Sequence, residues 1–474
     1  MDKKEDSPNI IFILVDALRP KNLSCYGYKR KTSPNIDNLA KEGVLFENSF
    51  STNNATEKVF VSITAGRHIL LKDSRDFVLN KDEIQSFFET SGKFIGEILK
   101  NNGYKTYCLK EIYGWQKKGF DFFYSVGLTE SPGKGFWKYL QKKQRFRDFS
   151  RTLVHYFPKK ISDIIKAKYG RTNGKETTRD AIRIINSSAE KKEKFFMFVY
   201  YNDTHIPYNP KDFTNKFKAE EKSTNFFDEI KGKGHNPMLV NFWKGAFSKH
   251  SSIGDVIARY DSAISYDDYL IGKVVDELKK TNLLKNTILF IFSDHGESLY
   301  EHGIYFDHHG LYDPCMRIPL VISGKGIPEG KKINGFVQHE DFVPTVLDLL
   351  KIPYNSLDFD GKSLIPLLKD KTKIRDSIFM EEGDKSKKKA LRTEKYKYIE
   401  AGSKEDAFCK YCNKIHGGVV ELYDLKKDPA EEKNIAEEKR TILASMKKKM
   451  DDEIRKYKRI NEQRRIKTRI SKIV

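Results

Sequence analysis

The sequence predicts an α/β protein: a doubly wound, mostly parallel sheet, then a small C-terminal α+β subdomain and a basic C-terminal helix. Three features of the 474-residue chain lead there. Apolar, β-branched runs alternate with helix-period stretches up to residue 370, the pattern of strands joined by crossover helices. Beyond residue 370 the texture changes to short, closely spaced strands. The final stretch places apolar residues at steps of three and four in a basic background, as an amphipathic helix does. Hydrophobic content of 38% and aromatic content of 12% supply a large core and exclude wholesale disorder.

Residues 9–15 (NIIFILV) run apolar and β-branched up to Asp16, as a buried parallel strand does. Residues 34–43 begin at Pro and stop at Gly, the punctuation of a helix. A helix over 93–102 stops at Gly103 and precedes a strand over 106–110. A helix over 178–187 leads to a strand over 195–201, and a long helix over 255–281 to a strand over 287–293. A strand over 318–323 and a helix over 341–350 follow. Short strands are expected at 378–381, 390–393, 396–399 and 419–425, as a small antiparallel unit. The chain thus divides into an α/β domain over 1–370, with a basic aromatic insertion at about 125–175, a subdomain over 371–436 and a basic helix over 437–474.

The net charge of +21 sits in two places. Residues 134–171 carry twelve Lys/Arg against Asp148 and Asp163; residues 439–474 carry fourteen against Asp451, Asp452, Glu453 and Glu462. The remainder is close to neutral. Such segments either pack as basic helices on their own protein or meet an anionic surface, lipid or polymer. No zinc-finger, RNP or helix-turn-helix signature accompanies the charge, so no specific nucleic acid is expected. The first apolar run is too short for a signal-peptide core, and no stretch approaches the roughly 18 residues of a membrane span. Together with five cysteines, an odd and small number, this points to a cytoplasmic protein or one peripheral on the inner membrane face.

Ligands of open α/β sheets bind beyond the carboxyl ends of the strands. Asp16, Lys110, the run from Asn202 to His205, and Asp294-His295 all stand at such ends. Core packing does not require four polar clusters there. Asp16, Asp294 and His295 together offer oxygen and nitrogen ligands suited to a divalent metal.

Ten segments in order sharpen this reading: NIIFILVDALRP, CYGY, TSPNIDNLAKEGVLFENSFS, SITAGR, NDTHIPYNP, FSDHGESLYEHG, LYDPCMRIPLVISG, DFVPTVLDLL, DGKSLIPLL and ELYDLKKDPAEEKNIAE. Together they resemble the sulfatase family of the alkaline phosphatase superfamily, from about residue 8 to about 436. The resemblance implies an alkaline-phosphatase-like fold and a metal-dependent ester-cleaving site. The chain departs from it where sulfatases carry the Cys or Ser that becomes formylglycine, eleven residues before the Arg of a T-G-R. That Arg matches Arg67, and the count falls on Thr56, followed by Glu57, Lys58, Val59 and Phe60. There is nothing to oxidise, no Pro and no Arg in that run. A threonine hydroxyl on a divalent metal is itself a nucleophile, and its phosphoryl adduct is resolved by water or an alcohol. Its sulfate ester has no hydrate hydroxyl to expel it. Thr56 therefore favours phosphoryl chemistry, as in the phosphodiesterases and the phosphoethanolamine and phosphoglycerol transferases of the superfamily.

By the same resemblance, the metal ligands are Asp16, Thr56, Asp294 and His295. Sulfatases read D-D where this chain reads Asp16-Ala17. One oxygen fewer favours Mn²⁺ or Zn²⁺ over Ca²⁺ or Mg²⁺ for the single divalent ion. Lys110 matches a lysine that holds substrate oxygen. His205 matches the His before Pro and is the candidate general acid. His308 falls where many sulfatases bind the ester anion, and counting alone does not separate it from His309. His302 and Glu297 read as supporting residues. Cys409, Cys412 and His416 offer half of a zinc knuckle or a redox pair; with no fourth ligand nearby in sequence, a pair of free thiols is the expectation.

The sequence thus predicts a metal-dependent phosphoric ester hydrolase or phosphotransferase, acting on an anionic substrate, lipid- or polymer-linked, that is most simply a phosphodiester. The segment 134–171 is expected to cover the site as a basic lid. Two rivals stand beside this: a sulfuric ester hydrolase working without formylglycine, and a non-catalytic protein that binds membranes or polyanions through its basic segments.

Overall fold

The structure, a computed structural model, describes residues 7–71, 81–90, 92–110, 114–123, 174–214, 216–219, 225–247, 252–383 and 385–470. The basic insertion and the lid expected over 134–171 lie outside the described residues. The strands are, in order, β1 (Asn9–Val15), β2 (Gly43–Phe46), β3 (Ser49–Phe50), β4 (Lys105–Leu109), β5 (Phe122–Phe123), β6 (Phe195–Tyr201), β7 (Thr287–Phe292), β8 (Arg317–Ile318), β9 (Leu320–Gly324), β10 (Lys331–Ile333), β11 (Val337–Gln338), β12 (Ser377–Glu382), β13 (Lys388–Thr393), β14 (Tyr396–Ala401), β15 (Phe408–Cys409), β16 (Lys414–Ile415) and β17 (Val420–Asp424).

Eight of them form the main sheet, in the order β10-β2-β9-β7-β1-β6-β4-β5. Every pairing in it is parallel except those that β9 makes with β2 and β7. Because side chains alternate across a strand, β1 feeds two cores at once. Ile11, Ile13 and Val15 meet the helices Pro34–Lys41, Gly174–Lys191 and Ile253–Lys280 on one face. Ile10, Phe12 and Leu14 meet Thr56–Ala65, Ile95–Asn101 and Phe342–Leu349 on the other. Helices on both faces make the doubly wound arrangement, and they explain why β1, β6 and β7 are apolar at nearly every position.

Strands β12-β13-β14-β17 form the antiparallel sheet expected after residue 370. One face packs on Phe50, Ile304, Leu311, Tyr312 and Met316 of the preceding α/β part of the chain. The other receives the C-terminal helix, Arg440–Ile470, through Met446, Met450 and Tyr457. The helix therefore spends its apolar stripe on its own protein as far as Tyr457. Further along, Arg464 bonds the Leu357 carbonyl and pairs with Asp360 at 2.9 Å. Ile466 and Ile470, which continue the stripe in sequence, are half exposed. Among the described residues no helix is long and apolar enough to cross a membrane.

Candidate active site

Four neighbouring parallel strands, β7-β1-β6-β4, end side by side. Their ends deliver Asp294 and His295, Asp16, the turn carrying His205, and Lys110 to one edge of the sheet. Just past Asp16 the chain bends sharply: Ala17 has φ 55°, and its amide donates to Asp294 Oδ1 at 3.2 Å. The next amide, Leu18, donates to the Ser293 hydroxyl at 2.8 Å. Two strand ends are thereby fastened to each other beneath the carboxylates.

Ligand atoms of Asp16, Asp294 and His295 all lie within 4.8 Å of one another, and all three residues are buried. His295 Nε2 is 3.6 Å from Asp16 Oδ1 and 3.5 Å from Asp294 Oδ2. The other ring nitrogen, Nδ1, donates to the Gly296 carbonyl at 2.8 Å, which leaves the Nε2 lone pair facing the carboxylates. Neither Asp16 Oδ1 nor Asp294 Oδ2 has a hydrogen-bond partner. Burial and the neighbouring Asp294 raise the Asp16 carboxyl above its ordinary range. Burial also opposes ionisation of Asp294, but His295, the Thr56 hydroxyl and two backbone amides hold it low. Two buried carboxylates aiming unpaired oxygens into one pocket, with an imidazole lone pair beside them, make a donor set that a divalent cation satisfies.

Thr56 is the first residue of the helix Thr56–Ala65, which follows an extended Ala55 and is buried along its whole length. Its Oγ1 lies 3.4 Å from His295 Nε2, so the helix N-terminus places this hydroxyl at the cluster. The sequence reading located Thr56 by counting and did not foresee the helix. Lys110 sits over the Tyr200 ring, 4.7 Å from its centroid, on the flank nearest β4. The His205 ring is 5.4 Å from that of His308, and His308 stacks on His295 at 4.2 Å. Burial and the nearby His295 push His308 well below the ordinary imidazole range, so it is neutral. Its Nδ1 lies 3.5 Å from Glu297 Oε2, and Glu297 accepts from the Tyr208 hydroxyl at 2.6 Å. His302 stacks on Tyr312 at 3.6 Å, outside the cluster.

The pair that counting left unresolved is separated in space. His308 faces the carboxylate cluster. His309 turns the other way: its Nε2 is 3.4 Å from Cys412 Sγ and its ring 5.4 Å from that of His416. Cys409 and Cys412 form no disulfide with each other, and two histidines stand with them rather than one.

Three residues at the site carry no signal in the sequence: Tyr200, Lys385 and Tyr411. The Tyr200 hydroxyl donates to Asp16 Oδ2. It lies opposite Leu14 in the β1–β6 register, and nothing in the run FFMFVYY distinguishes it from core. Lys385 and Tyr411 line a cleft of about 480 Å³ together with His205, Phe242, Phe306 and His308. They come from the C-terminal subdomain, and only the fold brings them to the site.

A doubly wound sheet thus carries Asp, Asp and His at adjoining strand ends. The family model described as Sulfatase matches residues 8–352, and that described as N-sulphoglucosamine sulphohydrolase, C-terminal, matches 300–459. The chain belongs to the sulfatase family, whose members bind a divalent metal ion. It is 25% identical over 461 residues to a sulfatase of Formosa agariphila, covering 91% of this chain and 83% of that one. It is 28% identical over 345 residues to mouse (Mus musculus) iduronate 2-sulfatase, covering 68% of this chain and 60% of that one. A solved structure in complex with D-glucosamine-2-N,6-O-disulfate superposes with a TM-score of 0.66 at 20% identity, covering 95% and 98% of the two chains. The phosphonate monoester hydrolase of Agrobacterium radiobacter superposes with a TM-score of 0.64 at 19% identity, covering 95% and 96%.

Proposed function

We propose that this sulfatase-family hydrolase cleaves a phosphate ester, most simply a phosphodiester, by attack of Thr56 on phosphorus. The observation that carries the reading is the position of Thr56 Oγ1, 3.4 Å from His295 Nε2 beside the unpaired oxygens of Asp16 and Asp294. Asp16, Asp294, His295 and Thr56 would hold one divalent ion, Mn²⁺ or Zn²⁺ given the missing second carboxylate. That ion supplies Lewis acidity toward the ester and lowers the pKa of a bound hydroxyl.

The remaining roles belong to the chain itself. Asp294, whose unpaired Oδ2 stands in the pocket with the Thr56 hydroxyl, would take that hydroxyl's proton as its oxygen attacks. The bond from Thr56 Oγ1 to phosphorus forms as the bond to the leaving oxygen breaks. Lys110 and His308 bind non-bridging oxygens; the neutral His308 donates a hydrogen bond without adding charge. His205 gives its proton to the leaving alkoxide. Water or an acceptor alcohol then takes the phosphoryl group from Thr56.

A second reading is favoured by the relatives: cleavage of a sulfate ester, since they include the N-acetylglucosamine-6-O-sulfatase of Bacteroides thetaiotaomicron, 24% identical over 511 aligned positions. Parallel turnover of aryl sulfate, phosphate monoester and phosphodiester substrates by wild type and Thr56→Ala decides between them. Phosphodiester turnover lost in Thr56→Ala is the expected result. Sulfate-only turnover that survives Thr56→Ala would overturn the proposal.

A further inference from the structure

We propose that His309, Cys409, Cys412 and His416 form a closed zinc site that pins the loop carrying His308 to the C-terminal subdomain. All four residues are buried, and one ligand atom from each lies within 4.8 Å of the other three. A tetrahedral zinc with bonds of about 2.3 Å to sulfur and 2.0–2.1 Å to nitrogen sets its ligand atoms about 3.3–3.8 Å apart. His309 Nε2 and Cys412 Sγ stand 3.4 Å apart, within that range.

The groups around the four ligands are arranged as metal ligands require. His416 Nδ1 donates to the His302 carbonyl at 3.0 Å, while its Nε2, buried, has no partner. His309 Nδ1 lies 3.3 Å from Asp307 Oδ2, so a carboxylate backs the imidazole and Nε2 keeps its lone pair for the metal. The Cys412 amide lies 3.4 Å from Cys409 Sγ as donor, a contact that favours the thiolate. Asn413, with φ 53°, turns the chain directly after Cys412, between the paired strands β15 and β16. The knuckle is therefore a short hairpin that supplies three ligands, and the catalytic loop supplies the fourth. A set of two sulfurs and two nitrogens selects zinc over calcium, magnesium or manganese. With four protein ligands no position is left for substrate, so the role is structural. Binding displaces the two thiol protons to solvent and leaves two thiolates.

The place of the knuckle gives it a consequence. Tyr411, between the two cysteines, lines the cleft with His205 and His308. His309 adjoins His308 in the chain, and Asp307 accepts from the His308 amide at 2.7 Å. A zinc here fixes one wall of the substrate cleft. The knuckle holds its zinc whichever ester the enzyme cleaves.

The test uses the full chain, purified under reducing conditions, with zinc counted by mass spectrometry after dialysis. One zinc per chain that survives in Asp294→Asn, is lost in Cys409→Ser and in Cys412→Ser, and shields both thiols from alkylation is the expected result. Should the serine variants fail to fold, the wild-type chain refolded with Co²⁺ reports directly, through thiolate-to-cobalt charge-transfer and tetrahedral d–d absorption. Absence of zinc together with no such absorption, zinc content unchanged by the serine substitutions, or ready closure of a Cys409–Cys412 disulfide in a metal-free, folded chain would each overturn the proposal.

Discussion

Thr56 Oγ1 and His295 Nε2 lie 3.4 Å apart although 239 residues separate them in the chain. The helix that starts at Thr56 and the strand that ends before Asp294 converge on one point, and the side chains there are acceptors in excess. Stripping metal from this pocket is therefore expected to do two things. Turnover falls to background, and the melting temperature drops, because Asp16 and Asp294 then face each other without a counter-charge. In stripped protein Asp16→Asn should melt higher than wild type, while with metal restored it should bind the ion more weakly. Calorimetry of both proteins, with and without chelator, checks the crossover.

A general acid matters in proportion to how poor the leaving group is. His205→Ala is expected to lower kcat about 10²–10⁴-fold on an alkyl ester and far less on a nitrophenyl ester. His308→Ala should lower kcat/KM on both, because it holds the transferring group and not the leaving oxygen. A leaving-group series with the two variants separates these roles; equal losses for His205→Ala across the series contradict its assignment.

Asp203 and Asp267 are both buried close to the turn that carries His205, and burial followed by the charge of Asp203 raises the Asp267 carboxyl. Burial is the main cause that raises Asp203, to about 6. A carboxyl raised on folding stabilises the protein fully below its unfolded value of about 4, and that contribution is lost as pH rises through about 6. Asp203→Asn removes the titration. Its melting temperature relative to wild type should rise between pH 5 and pH 8, and a difference independent of pH would show that folding does not raise the Asp203 carboxyl.

The C-terminal helix gives a prediction about stability. Met450 is fully buried between this helix and the antiparallel sheet, so Met450→Ala should cost about 2–5 kcal/mol in denaturant unfolding. Ile466 is half exposed, and Ile466→Ala should stay within about 0.5 kcal/mol of wild type. Equal effects at the two positions would mean that the apolar stripe is seated along its whole length.

Much of this was legible in the sequence, for identifiable reasons. β1, β6 and β7 read as strands because both their faces are buried, and Asp16 and Asp294 stood out as charges at the ends of apolar runs. The split of the 318–323 run at Pro319, between β8 and β9, did not show in hydropathy alone. The helix Thr56–Ala65 has no side-chain cap at its start and no polar face, so periodicity gave no sign of it. His308 and His309 are adjacent in sequence, and backbone alternation sends them to different clusters, which no count of spacings resolves. The fourth ligand of the cysteine knuckle lies 100 residues before Cys409, beyond the reach of any local motif.

In the proposed reaction Thr56 carries the transferred group. The most direct test is rapid quenching of the metal-loaded enzyme with a phosphorus-labelled phosphodiester, followed by peptide mapping of the denatured chain. Label on the peptide that contains Thr56, absent from Thr56→Ala and discharged when turnover is allowed to finish, is the predicted result. Turnover of the same substrate with no label on the chain at any quench time, and undiminished in Thr56→Ala, would contradict it.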